Sequence, residues 1–151
     1  MSDPIPPTSR REALAVLALA DAATLADLWS AYEPKPAHTV VRGPETGLVM
    51  VKGRMGGGGA PFNLGEATAT RCVVTLADGE VGFGHVLGRD GERARLVALF
   101  DALGQSAAHA ARVRDEVIAP LAAARAEANA AEAAETAATR VEFFTMARGD
   151  D

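Results

Sequence analysis

The chain has 151 residues, with 15 Lys and Arg against 20 Asp and Glu, and its formal charge of −5 has the wrong sign for a general nucleic-acid binder. At this length one domain over residues 1–151 is expected, with about two thirds of the extended surface buried and no room for separate catalytic and cofactor domains. Hydrophobic residues reach 48% but aromatics only 5%, too few for a base-stacking platform, and the single cysteine, Cys72, excludes an internal disulfide and points to a reducing cytosol.

Residues 1–8, with Pro4, Pro6 and Pro7, read as a disordered leader. Ser9-Arg10-Arg11 before an apolar run resembles a twin-arginine signal, but Asp21 ends that run well short of the ~20 apolar residues of a membrane span. The local reading is better: Ser9 and Glu12 have capping-box spacing and start a helix over Arg10–Ala20. Asp21 caps a second helix, Ala22–Tyr32, in which Leu25, Leu28, Trp29 and Tyr32 share one face. As a DNA-reading pair these helices fail, because the second carries Asp27 and no Lys or Arg.

After Glu33-Pro34-Lys35-Pro36 the period changes to two. Strands are predicted over Thr39–Arg42 and Thr46–Met55, split by a Gly43-Pro44 turn, then over Glu66–Ala77 and Glu80–Leu87, joined by an Asp78-Gly79 two-residue turn. Asp90 caps a helix carrying Leu96, Leu99, Phe100 and Leu103, which Gly104 is expected to stop. From Ser106 to Thr136 the chain is helical, with Pro120 as a kink or new first turn. Ala122–Ala138 has almost no large apolar side chain, so that helix is exposed or packs through alanine. Val141-Glu142-Phe143-Phe144-Thr145-Met146 reads as a last strand. The fold class is therefore α+β: two N-terminal helices, an antiparallel sheet of four to five strands, C-terminal helices and a final strand.

Two places could hold chemistry. Four glycines, Gly56, Gly57, Gly58 and Gly59, lie between Arg54 and Arg71, and their N–H groups with the two guanidinium groups would make an anion cradle. The plainer alternative is a flexible connection between strands. A two-residue turn at Asp78-Gly79 also sets Cys72 opposite His85, a thiol beside an imidazole, with β-carbons about 4.5–5.5 Å apart. In that register Val74, Leu76, Val81, Phe83 and Leu87 share their face, while Arg71, Val73 and Thr75 lie across from Gly82, Gly84 and Val86. The two glycines leave that second face bare for a closely packed helix or another chain. His38, His85 and His109 are scattered, so no metal set is expected.

Arg42-Gly43-Pro44-Glu45-Thr46-Gly47-Leu48-Val49, Arg54-Met55-Gly56-Gly57-Gly58-Gly59, Leu64-Gly65-Glu66-Ala67-Thr68 and Thr70-Arg71 together resemble the G subunit of the bacterial carbon–phosphorus lyase system. Val86-Leu87-Gly88-Arg89-Asp90, Ile118-Ala119-Pro120-Leu121, Val141–Met146 and Arg148-Gly149-Asp150 extend the resemblance in order, with Ala147 departing where the family has a larger aliphatic residue. The resemblance implies an accessory subunit in phosphonate catabolism, inactive on its own. Its expected companions are the H, I and J subunits, with the ABC-type L subunit and a homodimer of the isolated chain left open. It implies no cofactor in this chain and MgATP at the level of the complex, which exchanges the adenine of ATP for methylphosphonate. The product is α-D-ribose 1-methylphosphonate 5-triphosphate, with adenine released. The competing readings are a self-sufficient transferase or lyase acting on a phosphorylated sugar, and an anion-binding module without chemistry. No membrane or nucleic-acid partner is expected, and the setting is cytoplasmic.

Overall fold

A computed structural model describes residues 9–139, and the leader and the predicted strand at 141–146 lie outside them. Helix α1 spans Arg10–Leu19 and α2 Ala22–Ala31. Both begin as their caps dictate. Ser9 Oγ accepts from Glu12 N–H while the Glu12 carboxylate accepts from Ser9 N–H, and Asp21 accepts from Thr24 N–H.

Three antiparallel strands follow in the order β1 (His38–Arg54), β2 (Pro61–Leu76) and β3 (Val81–Leu87). Three strands replace the expected four or five because Gly43-Pro44 is not a turn. It lies within β1 as an irregularity in the ladder: Val40 pairs with Val74, Arg42 with Val73, and pairing resumes at Glu45 with Arg71. Gly43 has φ +80° there, and a Cβ on it would stand 2.6 Å from Arg71 O, so only glycine fits. β2 also starts earlier than expected, at Pro61 rather than Glu66.

Helix α3 (Gly91–Gln105), capped by Asp90 as expected, runs one residue past Gly104 before Ser106 ends it. A short helix α4 (Ala110–Val113), one wide π-type turn (Arg114–Ile118) and α5 (Ala119–Ala138) complete the described chain. The wide turn falls just before Pro120, whose missing N–H interrupts regular helical bonding.

The molecule is layered around α3. From Leu96 to Leu103 every α3 residue is buried and all but Asp101 are apolar, so this helix is covered all round and lies between the sheet and α1, α2 and α4. Cys72, Val74, Leu76 and Val86 close the core from the sheet side; Leu17, Leu25 and Tyr32 close it from the helix side. Trp29 and Tyr32 meet Phe100 edge-on, with ring centroids 6.2 and 6.3 Å away. Each fully buried Leu or Phe contributes about 1.5–3 kcal/mol.

The β2–β3 register differs by one residue from the expected one. Leu76 N–H donates to Glu80 O and Gly79 N–H to Leu76 O, so the loop has three residues, Ala77-Asp78-Gly79, with Gly79 at φ +98°. That single residue moves each side chain of β2 to the opposite side relative to β3. Cys72 pairs with Gly84 and Val74 with Gly82 on the core face, while Arg71 pairs with His85 and Val73 with Phe83 on the other. The glycines do admit a close helix: α3 lies directly on Gly82 and Gly84.

Candidate functional site

Among the described residues the sheet is covered on one side only. Its outer face carries Ala69, Arg71, Val73 and Thr75 of β2 beside Leu87, His85, Phe83 and Val81 of β3. Phe83 is 45% and Leu87 65% exposed, large values for an apolar row in a small domain. Where β1 crosses this face, Arg42 Nε donates to Glu45 Oε1 at 3.2 Å, and Arg71 Nε donates to Glu45 Oε2 at 3.1 Å. The two guanidinium groups, Arg71 first, hold the Glu45 carboxyl below its usual range. Glu45, Thr46, Gly47, Arg71 and His85 line a shallow cavity of about 250 Å³ beside this group. Two cations with one carboxylate and a neighbouring imidazole give a polar anchor set in apolar surroundings.

Beyond Gly47 and Ala69 there is no third strand among the described residues. From Leu48↔Thr68 to Arg54↔Pro61, β1 and β2 continue as a two-stranded arm, roughly 20 Å long at about 3.3 Å per residue. Such a ribbon is marginal by itself. Its apolar residues face outward on both sides: Leu48 and Met50 on one, Val49 and Val51 on the other, with Leu64 standing at a bulge. The Phe62 ring folds over Gly53, 3.4 Å from where a Cβ would sit.

The arm ends in the glycine segment. Met55–Gly57 makes one tight turn with Gly56 and Gly57 at positive φ, and Gly58 and Gly59 both donate to Met55 O. Arg54 Nη1 donates to Gly59 O at 3.0 Å. Two of the glycine N–H groups are therefore turned inward on the loop's own carbonyl. Arg71 lies ten residues along β2 from Pro61, roughly 30 Å of strand from Arg54. The expected cradle thus divides into an arm tip with Arg54 and Gly56–Gly59 and a separate Arg42–Glu45–Arg71 group.

The Cys72–His85 pair is overturned by the register, since the two side chains lie on opposite faces of the sheet. Cys72 is buried under α3, and burial pushes its thiol pKa up. A thiol held protonated and covered is a core residue, not a nucleophile.

A model of the family described as phosphonate metabolism protein PhnG matches residues 8–149. A curated relative from Rhizobium meliloti (strain 1021) is 56% identical over 151 residues, covering 99% of this chain and 96% of that protein. It is named alpha-D-ribose 1-methylphosphonate 5-triphosphate synthase subunit PhnG. The chain belongs to the PhnG family.

One pairing of this PhnG-family chain was missed in the sequence. Asp101, its side chain 3% exposed, accepts from Arg10 Nε at 2.9 Å, Arg10 Nη2 at 2.8 Å and Phe83 N–H at 2.8 Å. With Gln105 Nε2 donating to Val81 O at 2.8 Å, it satisfies outward main-chain groups of the β3 edge. The available signal was one acidic residue inside the otherwise apolar run Leu96–Leu103.

Proposed function

We propose that this chain is an accessory, non-catalytic subunit of a carbon–phosphorus lyase core complex in phosphonate catabolism. In this reading it supports conversion of MgATP and methylphosphonate to α-D-ribose 1-methylphosphonate 5-triphosphate and adenine. The observation that carries this is the uncovered sheet face, in a chain 56% identical to a protein named as a synthase subunit. An apolar row of Val73, Val81, Phe83 and Leu87, set beside Arg42, Glu45, Arg71 and His85, has the make-up of a docking face with polar anchors. The groups that could act on a substrate are dispersed: the arm tip carries Arg54, Arg71 lies far along the hairpin, and Cys72 is buried. Each can serve only as one contribution to a site that neighbours complete.

The neighbours proposed are the H, I and J subunits, with the ABC-type L subunit joining for the ATP-dependent step. MgATP is bound by the assembly rather than by this chain, and the setting is the cytoplasm. The test is adenine release from MgATP and methylphosphonate by the purified chain, alone and with the four companions. Release by the mixture at a rate lost when this chain is omitted is the expected result. Release by this chain alone overturns the accessory role.

A further inference from the structure

β1 is an edge strand whose regular part, Thr46–Arg54, is exposed at nearly every position, whereas the β3 edge is satisfied by Asp101 and Gln105. Among the described residues no hydrogen bond reaches the outward main chain of Thr46–Arg54. A long open edge is a template for a further strand. Leu48 and Met50 lie on one side of it together with Lys52, and Val49 and Val51 on the other, so its occupant should be apolar on both sides with an acidic residue placed for Lys52.

The sequence contains one such segment outside the described residues: Val141-Glu142-Phe143-Phe144-Thr145-Met146. Antiparallel pairing with Glu142 opposite Lys52 places Phe144 opposite Met50 and Met146 opposite Leu48 on one face. Phe143 then meets Val51 and Thr145 meets Val49 on the other. Charge meets charge, and thioether meets ring. Slipping by two residues sets Phe144 against Lys52 or Glu142 against Met50, and slipping by one sets Glu142 against Val51 or Gly53.

The position of α5 argues that the segment comes from a second copy. The main packing of α5 is on α1 and the wide turn before it, on the helical side of the molecule, and every residue from Ala124 to Thr139 is exposed. Fifteen residues of helix carry the chain about 22 Å past its last packed turn. Phe143 and Phe144 follow Thr139 by four and five residues, a reach of about 17 Å at most. That is shorter than the exposed length of α5, so the segment cannot double back along the helix to the body against which α5 packs.

We infer that the segment 141–146 of one copy adds as a strand to the β1 edge of a second copy, and reciprocally, giving a two-fold symmetric dimer. This reading concerns self-association and stands apart from the synthase role, so the adenine assay and the test below fail independently. The test mixes full-length Met50→Cys chains with full-length Phe144→Cys chains under mild oxidation. Each variant retains the buried Cys72, and each has a single accessible thiol. A disulfide-linked pair of unlike chains is expected in at least tenfold excess over either like pair. Phe143→Cys, on the opposite face, should lose that excess. Lys52→Glu should weaken the dimer by about tenfold in light scattering, and adding Glu142→Lys should restore it. Deleting residues 140–151 should leave a monomer that keeps the far-UV CD spectrum of α1–α5 and the sheet. A full-length chain that is monomeric at tens of micromolar, a deletion that remains dimeric, or cross-linking without preference for Met50 with Phe144 overturns the inference.

Discussion

At Gly84 a Cβ would collide with Ala94 O, and at Gly82 with Ala98 O, so the absence of two side chains sets the distance between sheet and helix. Ala94, Ala98 and Ala102 supply the matching small residues on α3, and the whole core inherits the spacing that follows. Gly47 is a control of the same residue type: its φ is ordinary and nothing lies within 4 Å of a would-be Cβ. Gly84→Ala is therefore expected to lower stability by about 1–3 kcal/mol, since the helix backbone must shift. Gly47→Ala should stay within about 0.5 kcal/mol. Denaturant midpoints of the two variants check this, and equal midpoints would mean that α3 tolerates displacement from the sheet.

At the scale of elements, Asp101 joins three of them: Arg10 on α1, its own helix α3, and the β3 edge at Phe83. Arg10 is about half exposed and can return to water, but Phe83 N–H loses its acceptor when the carboxylate is removed. Asp101→Ala is expected to cost about 1–3 kcal/mol, with amide exchange accelerated first at Phe83 and along β3. Unchanged exchange there would show that the edge needs no acceptor. What was legible in the sequence follows the same division. Ser9–Glu12, Asp21 and Asp90 were readable because a cap involves residues three apart. The β2–β3 register depended on whether the turn held two or three residues, which Asp78-Gly79 does not decide, and with it fell the Cys72–His85 pair. Gly43-Pro44 read as a turn because only the approach of Arg71 O shows that it lies inside a strand. Arg71 and Arg54 were identifiable as charged residues flanking glycine, but their separation is a property of the arm's length. Asp101 depended on contacts 18 and 91 residues away, beyond any local pattern.

Taken as a whole molecule, the protein places six of its carboxylates where partners hold them ionised. Asp78 is held below its usual range by the Ser106 hydroxyl, Asp21 by Thr24, and Glu33 by Lys35. Glu45 is lowered by Arg71 and Arg42, Glu92 by Arg95, and Asp115 by Arg114. A carboxyl whose pKa is lower folded than unfolded binds fewer protons folded. It contributes stability above the unfolded value, near 3.8 for Asp and 4.5 for Glu, and that contribution is lost as pH falls through the lower folded value. These shifts add together in one direction, so acid is the weak side of this protein. The denaturant midpoint is expected to change little from pH 8 to 6, then to fall below about pH 4.5. The pairs are exposed, so salt should flatten that fall. Asp78→Asn should flatten it as well, because Ser106 would then hydrogen-bond a group that does not titrate. A midpoint that rises on acidification would show that repulsion among the chain's 20 acidic residues outweighs these local attractions.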